Sequence, residues 1–313
     1  MPSLQFAKIA ASQSKWNQKD VNMTAIAILA AATISFSGEF DRELTGAEYS
    51  GVSRVPGTDR YWVVDDNDGV VAEMKIEVGE GCSSTGTVLR TVQLAGRRDI
   101  EGCAVDPLRK GVLWVSDEAD HSVRAFDIEN ARETDRLAVP GIYAKCRRNR
   151  SLEALSISPD GLEMWISNEE PIPGDNGFVR ITRFSRDGAS SAWKADEKCV
   201  RYRPDPVSGE KFMGRHANSG VSGLLALGKG RLLVLERECS VKDGGSLPSL
   251  RARIYECAAD GSKTLLWEMD TGFANYEGIC LGPELASGEK SVVLVSDGGN
   301  GGDEKIMVLR LRD

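Results

Sequence analysis

The sequence predicts an all-β fold, a single five-bladed β-propeller. Three observations predict it. Five self-similar segments recur along the 313 residues, each segment has the pattern of a β-hairpin, and no stretch carries long helical periodicity. The five hairpin segments are residues 44–68, 100–120, 152–171, 221–238 and 276–300. Each runs from a polar or acidic residue through a small residue into a short apolar strand. A turn bearing Gly or Pro, a second apolar strand and a polar, mostly acidic, cluster then follow. The first strand of each is rich in small residues, as expected where strands crowd a central axis.

A third strand follows in every unit, at 70–76, 123–128, 178–184, 252–257 and 305–311. A fourth follows in four units, at 87–94, 134–139, 192–202 and 263–269. The repeats span roughly 50 to 70 residues, long for a propeller blade. The fifth unit has no fourth strand of its own, because the chain ends at Asp313. The segment 33–40 precedes the first unit, so it is expected to supply that outer strand and close the ring. Radial repetition protects sheet edges, which lets a nearly all-β chain stay soluble. A sixth blade hidden in the long third unit, within 189–220, is the alternative.

The domain reading is therefore a leader over 1–32 and a propeller over 33–313. Residues 23–37 form an apolar, small-residue run, too short for a comfortable membrane span. It fits the apolar core of a secretory signal, with Ala30-Ala31-Ala32 as cleavage site and Lys15 and Lys19 as basic flank. Its depth in the chain and Asp20 in the flank count against this, and a disordered leader is the other reading. The expected location is periplasmic or secreted, and cytoplasmic if the run is no signal.

Net charge is −8, without the basic stripe of a nucleic-acid binder. The seven cysteines include no Cys-x-x-Cys pair, and there are two histidines, so a structural zinc site and a His-based triad are not indicated. Cys103 and Cys280 fall at inner-strand positions and read as buried free thiols. There is no Gly-x-Ser-x-Gly elbow and no His-Glu-x-x-His. Gly298-Gly299-Asn300-Gly301-Gly302 precedes a strand and reads as a hairpin loop rather than a phosphate cradle.

The hairpins locate the chemistry. In an antiparallel pair, the start of one strand lies beside the end of its partner. Ring closure then gathers five strand starts and five strand ends around one channel mouth. Thr45, Glu101, Glu153, Ser222 and Glu277 open the first strands. Asp65 through Asp68, Ser116-Asp117-Glu118, Ser167-Asn168-Glu169, Glu236-Arg237 and Ser296-Asp297 with Asn300 close the second strands. Carboxylates crowded this closely need a cation, a basic partner or protons. Hard oxygen donors suit Ca²⁺ or Mg²⁺. Basic loops, including Arg147, Arg148 and Arg150, would rim the same face. The bland alternative is that repeated acidic positions only build turns and brace neighbouring blades. Departures from the repeat, namely Arg237, Asn168, Asn300 and Asp68, are then the better functional candidates.

These residues also carry a family resemblance. Glu101-Gly102 with Ser116-Asp117-Glu118, Leu152-Glu153-Ala154 through Ser167-Asn168-Glu169, Leu235-Glu236-Arg237, and Tyr276-Glu277-Gly278 with Ser296-Asp297 and Asn300 resemble the phytase-like ("esterase-like activity of phytase") propeller domain. The likeness runs from about residue 44 to the C-terminus, and Thr45 and Ala154 depart from its pattern. It implies an exported propeller that hydrolyses a phosphoric or carboxylic ester.

Together these give a Ca²⁺-assisted phosphoesterase or esterase, monomeric, with a small-molecule substrate and no nucleic-acid partner. Glu101, Glu153 and Glu277 are the catalytic candidates. Arg237, Arg147 and Asn168 would bind substrate. Asp117, Asp297, Asn300, Asp66 and Asp68 would bind metal. A non-catalytic binding propeller and a gluconolactonase-like Ca²⁺-dependent lactonase are the alternatives.

Overall fold

The computed structural model describes residues 27–29, 48–66, 69–79, 82–94, 96, 99–147, 150–207, 218–241, 248–272, 274–297 and 304–312. It forms five antiparallel sheets in a ring. Blade 1 holds β2 (Tyr49–Arg54), β3 (Arg60–Asp65), β4 (Val70–Val78) and β5 (Ser84–Gln93). Blade 2 holds β6 (Ile100–Val105), β7 (Val112–Asp117), β8 (Ser122–Asp127) and β9 (Arg132–Arg136). Blade 3 holds β10 (Leu152–Ile157), β11 (Glu163–Asn168) and β12 (Val179–Ser185), with β13 (Lys194–Ala195) and β14 (Val200–Tyr202) both paired to β12. Blade 4 holds β15 (Asn218–Gly228), β16 (Arg231–Val241), β17 (Pro248–Cys257) and β18 (Lys263–Gly272). Blade 5 holds β19 (Asn275–Leu281), β20 (Lys290–Asp297), β21 (Ile306–Arg312) and, from the other end of the chain, β1 (Ala27–Leu29).

Five blades are therefore confirmed, and the described residues of the long third unit form no sixth sheet. Its extra length goes into splitting the outer strand into β13 and β14, which pair with different halves of β12. The ring closes through an N-terminal outer strand as expected, but the pairing segment is Ala27–Leu29, antiparallel to β21. Segment 33–40 lies outside the described residues. The first blade's inner strand opens at Tyr49, so Ser50, not Thr45, stands in register with Glu101. Thr45 also lies outside the described residues.

The core is five apolar layers, each between two consecutive blades. Trp62, Val64 and Ile100 meet Leu113 and Phe126 between blades 1 and 2. Trp114 and Tyr143 meet Phe184 and Met164 between blades 2 and 3. The layer from Cys280, Val293 and Val308 to Tyr49, Tyr61 and Met74 joins blade 5 to blade 1, which completes the circle. All seven cysteines are free, and Cys103 and Cys280 are buried as expected. No helix among the described residues is long and apolar enough to cross a membrane.

Polar struts reinforce the apolar layers. Arg186 of blade 3 reaches Asp106 of blade 2 through paired contacts of 2.6 and 2.9 Å, while Trp114 Nε1 donates to the same carboxylate at 3.3 Å. Both side chains are sealed from solvent. Burial alone would raise the Asp106 pKa, but Arg186 and Arg109 override it and bring it down to about 2. A depressed carboxylate pKa stabilises the fold in full above the ordinary value of 3.8, and this is lost as pH falls toward 2. Replacing Arg186 with Leu strands a buried charge and is expected to cost about 3–5 kcal/mol. Urea unfolding at pH 7 measures that loss, and repeating it at pH 3 should show a smaller one.

Candidate active site at the channel mouth

The strand register arranges the site in layers. In every blade the pairing of the two inner strands slips at the same point, between Tyr49/Val52, Ile100/Cys103, Leu152/Ala154, Val221/Gly223 and Tyr276/Gly278. Each slip is a β-bulge, which bends the strand and re-aims a side chain. The bulged residues are Ser50, Glu101, Glu153, Ser222 and Glu277, one per blade. The next residue is Gly in four blades and Ala154 in the third.

Those glycines lie against the neighbouring blade's backbone. A Cβ on Gly51 would sit 2.4 Å from the Glu101 carbonyl, and one on Gly102 would sit 2.8 Å from that of Glu153. Gly223 meets the Glu277 carbonyl at 2.8 Å, and Gly278 meets that of Ser50 at 2.6 Å. The inner strands thus touch backbone to backbone around the axis, and the bulged side chains are held at its mouth.

A second layer comes from the strand ends. Tyr49 pairs with Asp65, Ile100 with Asp117, Leu152 with Asn168, Val221 with Glu236 and Tyr276 with Ser296. Side chains alternate along a strand, so the residue after each of these has the opposite parity. Those residues are Asp66, Glu118, Glu169, Arg237 and Asp297. Four carboxylates and one guanidinium therefore form a layer above the bulge residues.

The contacts confirm the convergence. Arg237 bonds Glu169 on one side and Glu277 on the other, and its Nη1 also lies 3.1 Å from Asn275 Oδ1. Arg150 Nη1 is 2.8 Å from the second Glu169 oxygen. Asn275 Nδ2 donates to Glu277 at 2.8 Å and to Asp297 at 3.2 Å. Ser50 Oγ donates to Glu101 Oε2 at 2.6 Å, and the Ser151 amide donates to Glu118. Ser151 is also the common acceptor for the amides of Glu153 at 3.0 Å and Glu169 at 2.9 Å. Its Oγ bonds His121 Nδ1. One backbone turn thereby fixes three acidic residues of the site.

Two triplets of carboxylates, Asp99 with Glu101 and Glu118, and Glu118 with Glu153 and Glu169, place an oxygen from each residue within 4.8 Å of the others. Asp66 Oδ1 is buried with no hydrogen-bond partner among the described residues. Burial, then the charge of Glu118, pushes Glu101 up to about 8. Burial, then Glu169, pushes Glu118 up to about 8. Burial and the charges of Glu101 and Glu48 take Asp66 up to about 9. Burial, then Glu101, drives Glu153 well above the carboxylate range. Burial also raises Glu277 well above that range, against the opposing pull of Arg237. Among the described residues, Arg237 and Arg150 are the basic side chains bonded to these acids, and both bond Glu169. The raised proton affinities of Asp66, Glu101 and Glu118 favour bound protons or a cation there, and the all-oxygen donor set of Asp99, Glu101 and Glu118 fits a hard divalent ion.

Glu101, Glu153, Glu277, Arg237, Asp66 and Asp297 thus meet at one mouth. Arg147 lies on the rim, 67% exposed, and its one ion pair is 3.8 Å from Glu170. Asn168 is fully buried; its Oδ1 accepts the Arg180 amide at 2.9 Å and its Nδ2 donates to the Glu170 carbonyl, so it builds the turn after β11. Asp117 is buried with Oδ1 capping the Ala119 amide at 3.0 Å. Both sit on the opposite parity from the inward layer. Asp68 and Asn300 lie outside the described residues. Sequence reasoning placed Glu118 and Glu169 in the strand-closing clusters and Arg150 in a basic rim loop but gave them no role, and it did not name Asp99. The first two were visible as the residue after each strand-closing position, one step along the alternation from Asp117 and Asn168.

A family model described as "Phytase-like: Esterase-like activity of phytase" matches residues 45–298. No curated protein sequence matches the chain. Among solved structures, the tail fibre of Staphylococcus aureus phage P68 aligns at 12% identity and a TM-score of 0.52, over 89% of this chain and 52% of that one. Kuenenia stuttgartiensis hydrazine synthase aligns at 12% and 0.40, over 80% of this chain, which spans 56% of that one. The Pseudomonas aeruginosa periplasmic gluconolactonase aligns at 11% and 0.42, over 92% and 99%. At these identities the likeness is one of fold.

The role of Arg237 is testable through stability. Its removal leaves Glu169 and Glu277 buried with one guanidinium fewer. Arg237→Met should cost about 3–5 kcal/mol at pH 7 in denaturant titrations. The loss should shrink at acid pH, where protons replace the missing cation.

Proposed function

Because the chain belongs to the phytase-like ("esterase-like activity of phytase") family, we propose that it hydrolyses an ester at the acidic channel mouth with the help of a divalent cation, Ca²⁺ fitting best. The observation that carries this reading is the clustering of buried carboxyls whose proton affinities are raised to different degrees. Glu101, at about 8, is matched to a general base near neutral pH. Glu153, held protonated by burial and by Glu101, is matched to a general acid that gives its proton to the leaving oxygen. Arg237 and Asn275 orient Glu277 beside them. Asp99 and Glu118 would hold the cation, with Asp66 and Asp297 alongside. When bound, it would polarise the scissile carbonyl or phosphoryl oxygen.

One observation favours an uncharged ester or lactone over a phosphate monoester. The guanidinium groups nearest the site are already matched, Arg237 by Glu169 and Glu277, and Arg150 by Glu169 and Glu170. Arg147, among the described residues, is left largely open to solvent. Export to the periplasm or beyond, and a monomeric state, belong to the same reading.

The test is hydrolysis of p-nitrophenyl acetate, a γ-lactone panel, p-nitrophenyl phosphate and phytate, with Ca²⁺ and with EDTA. Turnover should need the cation, and Glu153→Gln should lower kcat about 100-fold or more. Ligand binding without turnover would instead make this a non-catalytic binding propeller. In the pH profile, kcat/KM should fall toward acid pH, because the base must be ionised, and the limb should move to lower pH as the cation concentration rises. Glu101→Gln should abolish that limb.

A further inference from the structure

The channel has a second end with opposite chemistry. Beyond the bulges it narrows to a gap of about 10 Å³, lined by Gly102, Glu153, Gly223 and Gly278 among others, room for about one water. It then widens into a cavity of about 230 Å³. All five inner strands wall this chamber, with Val52, Cys103, Leu155, Leu225, Ile279 and Cys280 among its lining side chains. These lie toward the C-terminal ends of the strands whose first residues carry the acids. Two to four residue steps along a strand separate these acids from the chamber lining, about 7–13 Å.

No carboxylate lines the chamber, and Arg54 is the single charged residue in its wall. Arg54 closes β2 and is half-buried. Its Nε donates to the Thr58 carbonyl at 2.8 Å and its Nη1 to the Gly282 carbonyl at 2.7 Å. Its Nη2 has no hydrogen-bond partner, and Arg54 makes no ion pair among the described residues. The serines in the wall are already engaged. Ser53 accepts the Val105 amide at 2.9 Å, and Ser156 accepts the Ala226 amide at 3.0 Å.

An apolar cavity of about 150 Å³ takes up benzene, so this one has volume for a ring and a small polar group. A guanidinium with a free N–H at the edge of apolar walls selects an anion on an apolar body. We propose that the chamber binds a small apolar carboxylate, its hydrocarbon part among Leu155, Leu225 and Ile279 and its carboxylate on Arg54. This site is separate from the acidic mouth and does not depend on what that mouth does.

The test is ¹⁹F NMR titration of the full chain with 4-fluorobenzoate and, for comparison, 4-fluorobenzyl alcohol. The acid should bind at least tenfold more tightly than the alcohol. Arg54→Gln should remove the preference and Arg54→Lys should retain most of it. Ile157→Trp, which fills the chamber, should abolish binding of both. Thermal melting of each variant separates loss of the site from loss of the fold. Binding should persist in Glu153→Gln, so failure here and failure at the acidic mouth are read independently. Equal affinity for acid and alcohol, indifference to Arg54→Gln, or no binding by the wild-type chain would each overturn the proposal.

Discussion

The close approach of backbone to backbone around the axis is the constraint from which the rest follows. Each inner strand carries a bulge, and in four blades the residue after it has no side chain to keep the neighbouring carbonyl away. Four such contacts draw the strands into a tight waist. The apolar layers between blades can then be shared in a closed circle, with the layer between blades 5 and 1 equivalent to the others. The bulge also turns Glu101, Glu153 and Glu277 toward the axis instead of into a blade interface. The architecture and the acidic site are thus two results of one local irregularity.

Crowding so many acids at one mouth is tolerable because the arrangement is asymmetric. Blades 1 and 4 supply Ser50 and Ser222 where the others have Glu, and blade 4 supplies Arg237 where the others have Asp or Glu. That guanidinium links blade 3 to blade 5 across its own blade by bonding Glu169 and Glu277. Among the described residues it neutralises one sector of the mouth, and the sector of Glu101 and Glu118 lies beside it. The second sector is where proton affinities rise and where oxygen atoms stand close enough to share an ion.

The fold was largely legible because a propeller announces itself by repetition. Glu101-Gly102 and Glu277-Gly278 carry the bulge in plain sequence, and the acids at them were found. The first blade was misaligned because Leu44-Thr45-Gly46 imitates the same local pattern as Tyr49-Ser50-Gly51. Only the pairing of Tyr49 with Asp65 distinguishes them. Asp117 and Asn168 were singled out ahead of Glu118 and Glu169 for a similar reason. Strand alternation allots neighbouring residues to opposite faces, but composition does not say which face looks inward. Ser151 carried no sequence signal, since its importance lies in its backbone groups. Arg237 was found because it broke the repeat.

The outer edge of the fifth blade is a strand borrowed from the distant start of the chain. Ala27–Leu29 pairs with β21, yet those residues belong to the apolar run that the sequence reading weighs as a signal segment, with Ala30-Ala31-Ala32 as its A-x-A-like cleavage site. Processing at that triplet would carry the borrowed strand away. The intact four-stranded sheet and the trimmed polypeptide are therefore alternatives. Trimming would leave β21 with an open row of amides and carbonyls, a vacancy that another extended segment could fill.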